Sequence, residues 1–211
     1  MKRRFIFDLD GTLLHGDFSK EREYFRSVLS TEEQELFLPK YFDVLMEYEN
    51  IFDRYDVEKL SDFLSKKTRT NITPNMINEW ITINCNINDI LLPETIDMLE
   101  YLKSRKKSLV ILTNWFRKGQ ETRLYNADIR KYFDEIYAGD FYIKPTKESY
   151  LNACGDYDKN ECIVIGDNLQ KDVYGPNKYG IDSIYYNPNN KECDKTMVLS
   201  IDSFERIKEM F

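Results

Sequence analysis

Two short acidic stretches carry the chemistry of this 211-residue chain: Asp8-Leu9-Asp10-Gly11-Thr12 near its start, and Gly166-Asp167-Asn168-Leu169-Gln170-Lys171-Asp172 far downstream. Each follows an apolar run, Arg3 to Phe7 and Glu161 to Ile165, that reads as a buried strand opening into a loop. Side chains alternate along a strand, so Asp8 and Asp10 share a side while Leu9 points away. Gly11 permits a sharp turn or a close ligand approach, and Thr12 can bond nearby backbone. Open parallel sheets place ligands beyond the carboxyl ends of their strands. Reading the remaining strand ends adds Thr113, Asn114 and Lys144 to the four aspartates. Carboxylates that converge on one point repel each other unless a hard cation sits among them. Oxygen ligands of this kind select Mg2+, which favours carboxylates, waters and a phosphate oxygen.

Composition narrows what such a centre can serve. Hydrophobic residues make up 42% and charged residues 32%, which argues against disorder. The net charge of −7 repels nucleic acid polymers and anionic lipid, so an anionic ligand needs a local cation. One histidine, His15, leaves little material for multi-histidine metal sites or Ser-His-Asp chemistry. Cys85, Cys154, Cys162 and Cys193 show no zinc or redox spacing. The longest purely aliphatic run, Leu109 to Leu112, is far shorter than the roughly 20 residues of a membrane-spanning helix. The charged start imitates a signal peptide, but its apolar stretch ends at Asp8, so a cytoplasmic location is expected.

The elements that must position these residues follow from periodicity. From about Phe18 to Asn84 the pattern is helical and contains no convincing strand; a cluster of about four helices is expected. Val57, Leu60, Phe63 and Leu64 recur at helix spacing, Thr73-Pro74 reads as an N-cap with proline at N1, and Met76, Ile77, Trp80 and Ile81 share a face. After Pro93, helices and strands alternate. A helix with Ile96, Leu99 and Leu102 inward precedes the strand Ser108 to Thr113. A helix from Gly119 to Ala127 leads to the strand Glu135 to Ala138, and one from Thr146 to Cys154 leads to Glu161 to Ile165. Ser183 to Tyr186 is a further strand, and Asp202-Ser203-Phe204-Glu205 reads as a capping box opening a last helix. This alternation implies an α/β fold, a parallel sheet with helices on both faces, split by a helical insertion after its first strand.

At these residues the sequence resembles the haloacid dehalogenase (HAD) superfamily in its phosphatase branch. Phe7-Asp8-Leu9-Asp10-Gly11-Thr12 matches the first motif, Leu109-Val110-Ile111-Leu112-Thr113-Asn114 the second, Lys144-Pro145 the third and Gly166 to Asp172 the fourth. The resemblance implies a Rossmann-like catalytic core, residues 1–16 and 92–211, with a helical cap at 17–91. It implies that Asp8 is the nucleophile, forming an aspartyl-phosphate, and that Asp10 is the general acid and base. Magnesium would be held by Asp8, the Asp10 backbone carbonyl and Asp167, with Asp172 behind them. Thr113, Asn114 and Lys144 would hold the phosphoryl group, although Asn114 serves equally as a turn-stabiliser and Asp172 as a helix start. The expected function is magnesium-dependent hydrolysis of a small phosphorylated metabolite, with a nucleotidase-like or phosphoglycolate-phosphatase-like lean.

Trp115 follows Thr-Asn where the family commonly has a small residue, and it reads as a packing residue. His15 reads as a solvated loop residue, and Gly175-Pro176 as an interruption of the helix after Asp172. A dehalogenase would share Asp8 but needs no acid at position 10. A phosphomutase would share both acids. A receiver-like phosphate-binding module would carry its aspartate on a middle strand and lack the helical insertion.

Overall fold

The computed structural model of the protein describes residues 1–194, 196 and 198–211. The chain begins with β1 (Arg4–Phe7) and then β2 (Leu14–Asp17). Five helices follow: α1 (Ser19–Val28), α2 (Thr31–Phe37), α3 (Tyr41–Ile51), α4 (Val57–Thr68) and α5 (Pro74–Asn84). The chain returns through β3 (Asn88–Leu91), α6 (Thr95–Ser104), β4 (Ser108–Leu112), α7 (Arg117–Asn126), β5 (Glu135–Tyr137), α8 (Lys147–Cys154) and β6 (Cys162–Gly166). A π-helical turn, Leu169–Tyr174, runs into the short α9 (Gly175–Lys178), followed by β7 (Asp182–Tyr186), β8 (Ser200–Ile201) and α10 (Glu205–Met210).

Six strands form one parallel sheet in the order β5-β4-β1-β6-β7-β8. Its two faces follow the alternation of β1. Phe5 and Phe7 pack with Leu99 and Leu102 of α6 and Ile207 of α10, while Ile6 packs with Tyr150 and Ala153 of α8. The central strands β1, β4 and β6 are buried along their whole length, as expected of parallel strands covered on both sides. The α/β fold with a helical insertion is therefore the observed architecture. No helix among the described residues is long and apolar enough to cross a membrane.

Several local expectations change. The insertion holds five helices rather than about four, and its connectors are not loops: β2 and β3 pair antiparallel, with His15 opposite Ile90 and Gly16 opposite Asp89. His15 is therefore an exposed strand residue. Ile96 is exposed, and Met98 joins Leu99 and Leu102 on the inner face of α6. The capping box at Asp202 to Glu205 does not form; Ser203 Oγ and Glu94 Oε2, brought in from α6's entrance, both accept from Glu205 N. The cap at Thr73 does form, accepting from Met76 N ahead of Pro74 at N1. Gly175-Pro176 does shorten the helix after Asp172 to a single turn.

The helices α1–α5 share an apolar core built on Phe25, Phe37, Tyr48, Leu60, Leu64 and Trp80. That core continues into the α/β part through Trp115, Phe116 and Ile143. Two backbone hydrogen bonds cross at the same place, Tyr55 N to Gly139 O and Ile143 N to Asp53 O, both 2.7 Å.

Candidate active site

β1, β4 and β6 lie side by side at the centre of the sheet, so their carboxyl ends open on one spot. Asp8 follows β1 directly, and its backbone N–H extends the ladder to Ile165 O at 2.9 Å. The chain then turns sharply at Gly11, whose φ is +79°. A Cβ at Gly11 would sit 2.5 Å from Asp167 Oδ2, so a side chain is excluded both by backbone conformation and by the approaching carboxylate. Gly166 similarly leaves room for the Asp172 carboxyl group.

These turns bring carboxylate oxygens of Asp8, Asp167 and Asp172 within 4.8 Å of one another. Lys144 lies between two of them, donating to Asp8 Oδ1 at 2.6 Å and to Asp172 Oδ1 at 2.7 Å, and is only 2% exposed. Asp172 is wholly buried and its other oxygen accepts from Asn168 N at 3.0 Å. Thr12 Oγ1 donates to Asp8 Oδ2 at 3.3 Å.

The electrostatics are those of a site with more anion than cation. Burial opposes the Lys144 charge, but the carboxylates of Asp172 and Asp8 outweigh it and push its pKa up. The Asp8 carboxyl is pushed up to about 7, first by burial; Lys144 pulls against the rise, and Asp172 and Asp167 add to it. Asp167 is raised by burial and by Asp172. One lysine cannot balance three aspartates in so small a volume. An oxygen-only donor set with excess negative charge suits a hard divalent cation, so this cluster could hold one.

Asp10 points to the other side of the cleft. Its oxygens accept from Arg123 and Gln120 of α7, with Gln120 Nε2 at 3.0 Å from Oδ2. Gln120 Nε2 also lies 2.9 Å from Thr113 Oγ1, and Thr113 Oγ1 donates to Asn114 O at 3.1 Å. Thr113 thus borders the cleft but is engaged with its own loop. The Asn114 side chain is bonded to the backbone of Lys144: Oδ1 accepts from Lys144 N at 2.8 Å and Nδ2 donates to Lys144 O at 3.3 Å. These bonds pin the lysine's backbone, and Asn114 also borders the cleft. Lys144-Pro145 is a cis peptide bond.

A cavity of about 390 Å³ rises from these groups into the helical insertion. Its walls include Phe18, Tyr41, Tyr55, Trp80 and Trp115, together with the carboxylates of Glu21 and Glu49. Trp115 has φ +78° and packs edge-on or tilted against Tyr55, Trp80 and Phe116, the packing role expected of it. The indole N–H groups of Trp80 and Trp115 are buried with no partner. Burial pushes the Glu21 carboxyl up to about 6 and outweighs Trp80 and Asn84, which face it and pull it down. Glu49 accepts from Tyr55 Oη at 2.5 Å and forms an ion pair with Lys171 of the π-helical turn.

Sequence reasoning passed over Arg123, Glu21 and Glu49. A signal existed on α7, where the buried residues Gly119, Gln120, Arg123 and Leu124 mark one helical face that is polar where a core face would be apolar. No comparable signal marks the two glutamates.

The chain is similar to known proteins in sequence and in fold. The chain is 27% identical over 136 residues to the pyrimidine 5'-nucleotidase YjjG of Escherichia coli (strain K12), covering 62% of this chain and 60% of that protein. It is 29% identical over 102 residues to the pyrimidine 5'-nucleotidase PynA of Streptococcus pneumoniae (strain ATCC BAA-255 / R6), covering 46% and 43%. The matched segments thus span about half the length of these relatives. The fold is similar to that of the HAD-hydrolase YfnB from Bacillus subtilis bound to magnesium, with a TM-score of 0.70, 19% identity and coverage of 99% of this chain and 98% of that one. The model of the haloacid dehalogenase-like hydrolases matches residues 2–179, and this chain belongs to that family.

Proposed function

We propose that this protein is a magnesium-dependent phosphatase that hydrolyses small phosphate monoesters through an aspartyl-phosphate on Asp8. The observation that carries the reading is the buried Lys144 ammonium bridging Asp8 and Asp172 beside Asp167, with a second acid, Asp10, across the cleft. Residues 1–16 and 92–211 serve as the catalytic core in this reading, and 17–91 as the cap. The carboxylates of Asp8 and Asp167 and the backbone carbonyl of Asp10 would hold magnesium, with Asp172 orienting its neighbours. When bound, the ion would offset the charge of the phosphoryl oxygens and the carboxylates.

An Asp8 oxygen attacks phosphorus, and the bond from phosphorus to the leaving oxygen breaks as Asp10 gives that oxygen a proton. Asp10 then takes a proton from water. The water oxygen attacks phosphorus, and the bond to Asp8 breaks, releasing phosphate and restoring the carboxylate. Lys144 stabilises charge on the phosphoryl oxygens and holds Asp8 ready. An acid at position 10 separates this chemistry from dehalogenation.

The cavity supports a substrate lean. Its aromatic walls suit the flat, uncharged body of a nucleoside, in keeping with the nucleotidase relatives. Glu21 and Glu49 would repel the carboxylate of a substrate such as phosphoglycolate.

The test combines activity with trapping. Purified protein should release phosphate from p-nitrophenyl phosphate and from nucleoside monophosphates with magnesium, and excess chelator should abolish the activity. Quenching with labelled substrate should leave phosphate on Asp8, and Asp8→Asn should leave no label and no turnover. Activity that survives chelation refutes the metal assignment; label on another residue refutes the mechanism.

A further inference from the structure

We propose that Arg123 is a positioning residue that ties the proton-transfer group Asp10 to the return connector of the cap. The inference rests on the phosphatase reading above and assigns a role to a residue outside the four motifs.

Arg123 sits on α7 and is 1% exposed. Its guanidinium holds one carboxylate on each side. Toward the cleft, Nη1 donates to Asp10 Oδ2 at 3.0 Å and Nη2 to Asp10 Oδ1 at 2.5 Å. Toward β3, Nε donates to Asp89 Oδ2 at 2.9 Å and Nη2 to Asp89 Oδ1 at 2.7 Å. Nη1 also donates to Gln120 Oε1 at 2.7 Å, and Gln120 returns a bond to Asp10. All five N–H groups of the fork therefore have an acceptor. Gly16, opposite Asp89 in the ribbon, makes this possible, because a Cβ there would lie 3.0 Å from Nη2.

The arrangement has a mechanical consequence. A guanidinium is planar and rigid, and here it is fixed at both ends by charge-assisted bonds. Asp89 belongs to β3, whose pairing with β2 carries the chain back from the insertion. A shift of that ribbon moves Asp89, and the fork passes the shift to Asp10. Asp10 needs such a hold: its side chain is 37% exposed, on a loop that turns at Gly11, and it must meet the leaving oxygen within hydrogen-bond reach. A staple that only stabilised the ribbon would have no need of the catalytic acid as its second partner.

Proton donation matters more as the leaving group worsens, which gives a readout that plain destabilisation does not move. The experiment measures kcat/KM of the full chain with magnesium for a series of aryl phosphates from p-nitrophenyl to phenyl. Arg123→Met should lower the value for phenyl phosphate about tenfold or more beyond its effect on p-nitrophenyl phosphate, a fraction of the usual contribution of a general acid. Arg123→Lys should recover part of that difference. Asp89→Asn, which touches no reacting atom, should steepen the leaving-group dependence in the same sense and to a smaller degree. Circular dichroism checks that each variant folds. If Arg123→Met does not fold, the lysine and Asp89→Asn variants decide. Loss by one common factor across the series, or an unchanged slope in the folded variants, overturns the proposal while leaving the phosphatase reading intact. Wild-type protein that hydrolyses no member of the series overturns both.

Discussion

In the site, three carboxylates are held by two cations: Asp8 and Asp172 by Lys144, and Asp10 by Arg123. Asp8, Asp10, Lys144, Asp167 and Asp172 announce themselves as charged groups just beyond apolar runs, where a parallel sheet must open. Arg123 acquires its place only through Asp10 and Asp89, 113 and 34 positions away, and no local pattern encodes those pairings. Glu21 shows what such a hidden residue costs. It is 7% exposed, and burial, with Asp10 adding repulsion, raises its carboxyl to about 6. A raised carboxyl pKa means that the folded protein binds the proton more tightly than the unfolded chain. Its contribution is therefore fully present below the ordinary glutamate range and is lost as pH rises through about 6. A displacement of this size corresponds to roughly 2 kcal/mol of stability forgone at pH 8. Glu21→Gln carries no such penalty, so it should raise the urea-unfolding free energy by about 1–2 kcal/mol at pH 8 and by little at pH 4. An equal gain at both pH values would show that packing, not ionisation, governs the site.

At the scale of elements, strong periodicity was legible and pairing was not. The buried strands β1, β4 and β6 and the helices α4 and α5 appear where their apolar spacing placed them, within a residue or two at most ends. β2 and β3 escaped notice because each has four residues and neither is apolar; they are strands by virtue of each other. The capping box before α10 failed for a related reason, since Glu94 from a remote turn supplies an acceptor for the N–H that the local motif would have used. Remote pairing of this kind also joins the π-helical turn to α3 through Lys171 and Glu49. Both side chains are largely buried, Glu49 at 4% exposure, and Tyr55 Oη donates to the same carboxylate. Removing one partner leaves the other charged and poorly solvated, a loss of roughly 3 kcal/mol in comparable buried pairs. Lys171→Met should therefore destabilise the protein by about that much. The double variant Lys171→Met/Glu49→Gln should be more stable than the lysine variant alone, because the stranded charge is gone. Urea unfolding of the four proteins in a double-mutant cycle measures the coupling, and additive effects would show the pair to be independent.

The whole molecule sets who can reach the site. An insertion at 17–91 must join the core through two connectors, and two thin ones would favour a hinge over a rigid junction. The connectors instead pair as a ribbon, and the insertion is also moored by two backbone hydrogen bonds from the Asp53–Tyr55 loop and by the continuous aromatic packing of Tyr55, Trp80, Trp115 and Phe116. Opening wide would break those bonds and wet that apolar surface, so closure over the cleft is the favoured state. A cavity of about 390 Å³ beneath the insertion matches a single small ligand. A phosphorylated side chain on a folded protein would have to bring its backbone past the ribbon and the aromatic seam before its phosphorus met Asp8. The chain's charge of −7 further disfavours an acidic phosphoprotein surface. Catalytic efficiency should therefore be higher for small monoesters, nucleoside monophosphates among them, than for any folded phosphoprotein. The comparison uses a metabolite panel and a phosphoserine protein under the same magnesium and salt conditions, with phosphate release as the common readout. Raising the ionic strength screens the charge contribution but leaves the steric one, so a preference that persists at high salt belongs to the cap. A phosphoprotein preferred over every small ester would mean that the cap opens far more readily than its moorings imply, whatever the four motifs do beneath it.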